Sequence, residues 1–312
     1  MNEREVRKYL RREFRPVGWS LTIYYGIMNL MVMAVLFADV AIRSILTGRS
    51  AAMDMSNAWG YMAAIAVGMV ILLSWKGADF WNYAIWMRGK PCSPGKIGAL
   101  IVLVLGLQLP NSLLVQLIDW IAGFFGGDVL GYYEQLNLVG SDSLSMFLYA
   151  GLFAPVAEEI LFRGLVLRSL QPYGRRFAIV MSALLFGLFH GNLVQMPYAF
   201  CVGLILGYTA CEYSIGWSMV LHMVNNLLFA DSLTRLTEQL PGMLGSVLQS
   251  WLCLALTAGA VTILAVKHRE IQAYFRREYW DKRCAVCFLT NSGSIVFFLI
   301  TLANTIASMG IQ

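Results

Sequence analysis

Apolar residues fall along the chain in long runs, at about 18–40, 58–75, 97–124, 145–167, 177–192, 195–212, 216–230, 247–266 and 292–310, separated by short polar stretches. Runs of this length approach the roughly 20 residues that a helix needs to cross a hydrocarbon core about 30 Å thick. The pattern predicts an all-α polytopic membrane bundle of eight or nine transmembrane helices. The fifth and seventh runs are short, which suits helices buried among their neighbours better than helices facing lipid.

Composition points the same way. Apolar residues make up 58% of the 312 positions and charged residues 13%, with a mean hydropathy of +0.64. An ordinary soluble domain has about 45–50% and about 25%, so a water-facing globule is excluded. The 28 glycines and 8 prolines follow no period, which excludes a collagen-like chain.

Charge sets the orientation. Nineteen of the 23 Lys and Arg residues fall in four segments: Arg4 to Arg15 before the first run, Lys76 to Lys96 after the second, Arg168 to Arg176 after the fourth, and Lys267 to Arg283 after the eighth. Basic residues favour the cytoplasmic side, so the N-terminus and these segments are expected there, in a multi-pass protein of the cell membrane. Nine alternating crossings put every dense basic cluster on that side, and residues 125–144 become an outer loop. The basic N-terminal stretch reads as a helix lying against anionic headgroups rather than as a nucleic-acid-binding arm. The net charge of +5 therefore describes topology, with membrane lipids as the partner and no nucleic acid. Cys92, Cys284 and Cys287 fall on the reducing side and Cys201, Cys211 and Cys253 in apolar runs. The pair Cys284 and Cys287 offers only two metal ligands, too few for a structural zinc site.

An ionisable side chain at bilayer depth costs roughly 2.5–3.5 kcal/mol on insertion scales, which makes each one a functional candidate. Here they cluster. Glu158, Glu159 and Arg163 lie in the fourth run, His190 in the fifth, and His222, Asn225 and Asn226 in the seventh. At roughly 100° per residue, Glu159 and Arg163 share a face in the order that favours an ion pair, while Glu158 points elsewhere. Arg163 is thus expected to neutralise Glu159 structurally, leaving Glu158 free to face a cavity as a general base. His222 and Asn226 are four apart and aim at one point; Asn225, three from His222, is within reach as the alternative amide. Phe186, four before His190, is placed to pack on its ring. A carboxylate, two imidazoles and an amide in a low-dielectric pocket are the parts needed to activate water and stabilise an oxyanion.

These residues form EExxxR at 158–163, FxxxH at 186–190 and HxxxN at 222–226. In this order and on separate runs they resemble the CAAX protease and bacteriocin-processing family of intramembrane proteases, which includes the type II CAAX prenyl endopeptidases. The resemblance covers roughly residues 145–230. It implies an endopeptidase acting on a membrane-associated or lipidated protein or peptide. Glu158 and His190 would activate water, His222 and Asn226 would form the oxyanion hole, and Glu159 and Arg163 would be structural. Residues 145–230 are then a catalytic core, between a basic segment at 1–17 with helices at 18–144 and a C-terminal part at 231–312. No cofactor is required. If zinc is used, Glu158, His190 and His222 are its ligands, but no HExxH helix is present, and direct activation by Glu and His explains the same residues. Two other readings of these polar groups are an ion-coupled transporter, against which stands the lack of an internal repeat, and a non-catalytic membrane immunity or scaffold protein.

Overall fold

The computed structural model describes residues 2–51, 58–132, 143–228, 237, 239–277 and 280–309, and among these the regular structure is helical. Residues 133–142 of the expected outer loop at 125–144 lie outside them, as do Arg235 and the end of the seventh run. Among the described residues, each of the nine apolar runs lies mainly on helix.

Helix α1 (Glu3–Thr47) starts at a capping box in which the side chains of Asn2 and Glu5 each accept from the other's backbone N–H, and it stops at Gly48 in the left-handed region. Its 45 residues span about 67 Å at 1.5 Å per residue. The basic N-terminal stretch is therefore the first part of the first long helix, with no break between them. Its apolar residues Leu10, Phe14 and Val17 are buried. Phe14 meets the rings of Tyr173, Phe177 and Phe288 at centroid distances of 4.8, 5.7 and 5.7 Å. The apolar face of this stretch thus rests on protein, because apolar periodicity marks a face to be buried without naming what buries it.

After α1 come α2 (Trp59–Trp75) and α3 (Ala78–Trp86), which meet at a bend of 112°. Then α4 (Pro94–Leu105) and α5 (Gln108–Gly123) form a nearly continuous rod broken at Gly106, whose carbonyl accepts from the hydroxyl of Thr257 at 3.0 Å. Helix α6 (Leu144–Tyr173) changes register along its length: residues 149–153 and 160–167 are wound as π-helix around the α-helical Ala154–Glu159. Three short helices follow, α7 (Arg175–Phe189), α8 (Gln195–Glu212) and α9 (Ile215–Asn225). The chain ends with α10 (Leu244–Arg277), α11 (Lys282–Leu289) and α12 (Ser292–Ala307).

The protein is an all-helical membrane protein, and length and composition single out fewer helices than the eight or nine crossings expected. Among the described residues four helices are long and apolar enough to cross a bilayer: α1, the α4–α5 rod, α6 and α10. Counting each bent pair, α2 with α3 and α11 with α12, as one span gives up to six. Helices α7 and α9, with 15 and 11 residues, reach only about 22 and 16 Å. An apolar run records removal from water, whether into lipid or into protein. Most of α7 is buried in protein, from Phe177 through Gly187.

The core is built where α6, α7, α8 and α9 meet. Close packing of α7 on α8 depends on small residues. A Cβ on Gly203 would stand 3.0 Å from the Cα of Ala183 and 3.2 Å from the ring of Phe186. The glycine lets the backbones approach until the Gly203 carbonyl can be reached from α6.

Candidate active site

Glu158 and Glu159 lie at the end of the α-helical stretch of α6, between its two π turns. Single π turns recur at functional sites because they re-aim side chains within a helix. Glu159 is fully buried, and Glu158 keeps partial exposure toward a cavity of about 520 Å³. Arg163, also fully buried, places Nη1 3.0 Å from Glu159 Oε1, donates from Nη2 to the Gly203 carbonyl at 3.2 Å, and lies over the Phe186 ring at 4.5 Å. Nη1 is close in charge but off the angle of a hydrogen bond. The pair is therefore held by Coulomb attraction and the aromatic face rather than by a bidentate fork.

The Glu159–Arg163 pair matches the sequence expectation, yet Glu159 has further partners that helical spacing cannot reveal. Ser218 donates to its Oε2 at 2.6 Å, and Nδ1 of His222 lies 3.0 Å from its Oε1. A carboxylate only accepts, so Nδ1 of His222 carries the proton in that bond. The ring is thereby turned so that Nε2 faces Glu158, 3.7 Å from its Oε2. A carboxylate behind a functional imidazole fixes its tautomer and orientation.

His190 was expected inside the fifth helix; it lies just past the end of α7, as its C-cap. The next residue, Gly191, has φ +61°, a conformation that glycine adopts without steric cost and that ends the helix there. Nδ1 of His190 lies 2.9 Å from the Phe186 carbonyl. A carbonyl cannot donate, so Nδ1 again holds the proton and Nε2 is the ring's other nitrogen. The Phe186 ring meets both imidazoles edge-on, at 5.1 Å for His190 and 5.4 Å for His222. It therefore packs against three of the site's polar groups, counting Arg163, where the sequence assigned it one.

Asn225, the last residue of α9, and Asn226, its C-cap, both face the cavity, and their amides are hydrogen-bonded to one another. Asn225 donates from Nδ2 to Asn226 Oδ1 at 3.1 Å, and Asn226 donates from Nδ2 to the Ala150 carbonyl at 2.9 Å. The spacing left open which of the two points inward; the fold uses both.

The cavity gathers Glu158, His190, His222, Asn225 and Asn226 on one surface, with Phe186 beneath the imidazoles. It also brings in residues the sequence reading passed over: Gln108 and Asn111 of α5, Tyr149 of α6 and Tyr198 of α8. Tyr24 and Tyr149 stand within electrostatic reach of Glu158. Gln108 and Asn111 carried a signal, two amides three apart in an apolar run, hence on one helix face. Among the described residues no three His, Cys, Asp or Glu side chains form a group that could hold a metal ion. Glu158, His190 and His222 line the same cavity without being grouped as ligands around a point.

Residues 140–228 match the family model described as type II CAAX prenyl endopeptidase Rce1-like. The match contains all three motifs and supports the CAAX-protease resemblance drawn from them. This is a family of CAAX-type proteases, and the matched segment runs from the start of α6 through α9. No curated protein matches the chain, and no solved structure does.

Proposed function

We propose that the protein is an intramembrane endopeptidase that hydrolyses a peptide bond in a membrane-associated or lipidated protein or peptide. The observation carrying this reading is the convergence of Glu158, His190, His222 and Asn226, from three separate parts of the matched segment, on one cavity. In this reading a water bound between Glu158 and Nε2 of His190 gives a proton to the Glu158 carboxylate as its oxygen attacks the scissile carbonyl. The new C–O bond turns the carbonyl oxygen into an oxyanion. Asn226 donates to it through the Nδ2 hydrogen not used by Ala150, and His222 through Nε2–H when that nitrogen is protonated. Glu158 then passes the proton to the leaving nitrogen as the C–N bond breaks. Glu159 and Arg163 do more than clamp α6, since Glu159 aims the His222 ring.

In this reading the protein is multi-pass, with the N-terminus and the basic segments after α2, α6 and α10 on the cytoplasmic side, as the preference of Lys and Arg for that side supports. The test uses the detergent-purified full chain and a farnesylated peptide ending in a CAAX sequence. The wild type is expected to release the C-terminal tripeptide. Glu158→Gln is expected to abolish release with an unchanged unfolding temperature. Retained cleavage by Glu158→Gln would overturn the assignment.

A further inference from the structure

The hydrogen bonds behind Asn226 continue well beyond Asn225. Tyr198 of α8 donates its hydroxyl proton to Asn225 Oδ1, and Gln108 of α5 donates from Nε2 to the Tyr198 oxygen at 2.7 Å. The chain therefore runs from Gln108 through Tyr198, Asn225 and Asn226 to the Ala150 carbonyl, every donor pointing the same way.

That direction is fixed from its far end. The Ala154 N–H bonds to the Tyr149 carbonyl five residues back, in the π register. The next amide that could serve Ala150 in that register belongs to Pro155, which has no hydrogen to give. The Ala150 carbonyl is left to accept from elsewhere, and it accepts from Asn226. A carbonyl cannot donate, so the Nδ2 end of Asn226 must face it and Oδ1 must face Asn225. Asn225 then presents Nδ2 forward and Oδ1 back to the one proton of Tyr198. The tyrosine oxygen, having spent its proton, is left to accept from Gln108. Neither asparagine can flip without breaking two bonds, and aligned donors polarise one another.

We propose that this relay sets the amide orientation that makes Asn226 an oxyanion donor, with Tyr198 and Gln108 as positioning residues. The inference rests on the reading of Asn226 given above. It extends the machinery to α5, because Gln108 lies outside the segment 140–228 that matches the family. A Gln108 that merely lined the cavity would have no need of a tyrosine between it and the asparagines.

The experiment measures kcat and KM of the purified full chain on the farnesylated CAAX peptide for Tyr198→Phe and Gln108→Leu, each alone and combined with Asn226→Ala. Removing an oxyanion donor lowers kcat by about 10²–10³-fold, so Asn226→Ala is expected in that range. Tyr198→Phe should lower kcat by about 10-fold or more with KM unchanged, as for an interaction made only in the transition state. In the Asn226→Ala background it should have no further effect. An equal loss in both backgrounds, or a rise in KM alone, overturns the relay. Wild-type kcat in Asn226→Ala removes its object, while Glu158→Gln separately tests the protease reading. Independent of turnover, Tyr198→Phe and Asn225→Ala should lower the unfolding temperature non-additively, since either one breaks the same chain. Strict additivity counts against it.

Discussion

Glu159 and Arg163 are each fully buried and form a compact charge pair inside the bundle. Replacing one partner strands the other. Glu159→Gln leaves the guanidinium with the Gly203 carbonyl and the Phe186 face but no counter-charge. Arg163→Met leaves the carboxylate with only Ser218 and His222. Breaking a buried pair on one side costs roughly 3–5 kcal/mol, whereas replacing both partners by neutral groups of similar volume is far less harmful. The double variant Glu159→Gln/Arg163→Met should therefore unfold at a higher temperature than either single, with a coupling on the order of 2–3 kcal/mol. Thermal unfolding of the four detergent-purified proteins, followed by tryptophan fluorescence, reads this directly. Activity should not follow stability. Both variants lacking the Glu159 carboxylate lose the group that aims His222, and loss of such a partner typically costs about 10–100-fold. Additive destabilisation would show that the pair contributes nothing as a pair. Full activity in the stable double variant would show that Glu159 does not position His222.

Two further outcomes follow from local geometry. Gly191 holds φ +61°, and a Cβ there would stand 3.2 Å from Asn304 Cβ and from the Tyr25 hydroxyl; Gly191→Ala should cost about 1–2 kcal/mol and lower kcat by displacing His190, so wild-type values for both in unfolding and peptide-release assays would contradict the C-cap account. Asp281 caps α11, accepting from the Arg283 backbone, and the Arg283 side chain holds its carboxyl below the usual range. A lowered folded-state pKa means stabilisation present above the unfolded value near 3.9 and lost as pH falls through the folded one. Asp281→Ala should therefore be destabilised by about 1 kcal/mol at neutral pH and should converge on the wild type only as pH falls below the unfolded value, through the lower folded-state one. A gap that persists in acid would refute the assignment.

Much of the site could be read along the chain. Glu158, Glu159, Arg163, His190, His222 and Asn226 stand out because ionisable and amide groups in apolar runs are costly and few, and helical spacing was enough to pair Glu159 with Arg163. Spacing works within one helix and fails between helices. It could not show that Ser218 and His222 also converge on Glu159, that Phe186 packs against both imidazoles, or that Gln108 reaches the site through Tyr198. Tyrosine in a membrane protein usually reads as packing or interface anchor, so its hydroxyl carries no signal until a partner is placed beside it.

Helix-forming segments, the membrane class and the inventory of buried polar groups are properties of local sequence, since hydropathy and backbone periodicity act over neighbouring residues. The number of crossings is not, because burial in lipid and burial in protein leave the same apolar run. Nor is the direction in which an amide points. Pro155 withholds one hydrogen from α6, but only the packing of α9, α8 and α5 around that gap turns it into an oriented chain of donors ending at Asn226.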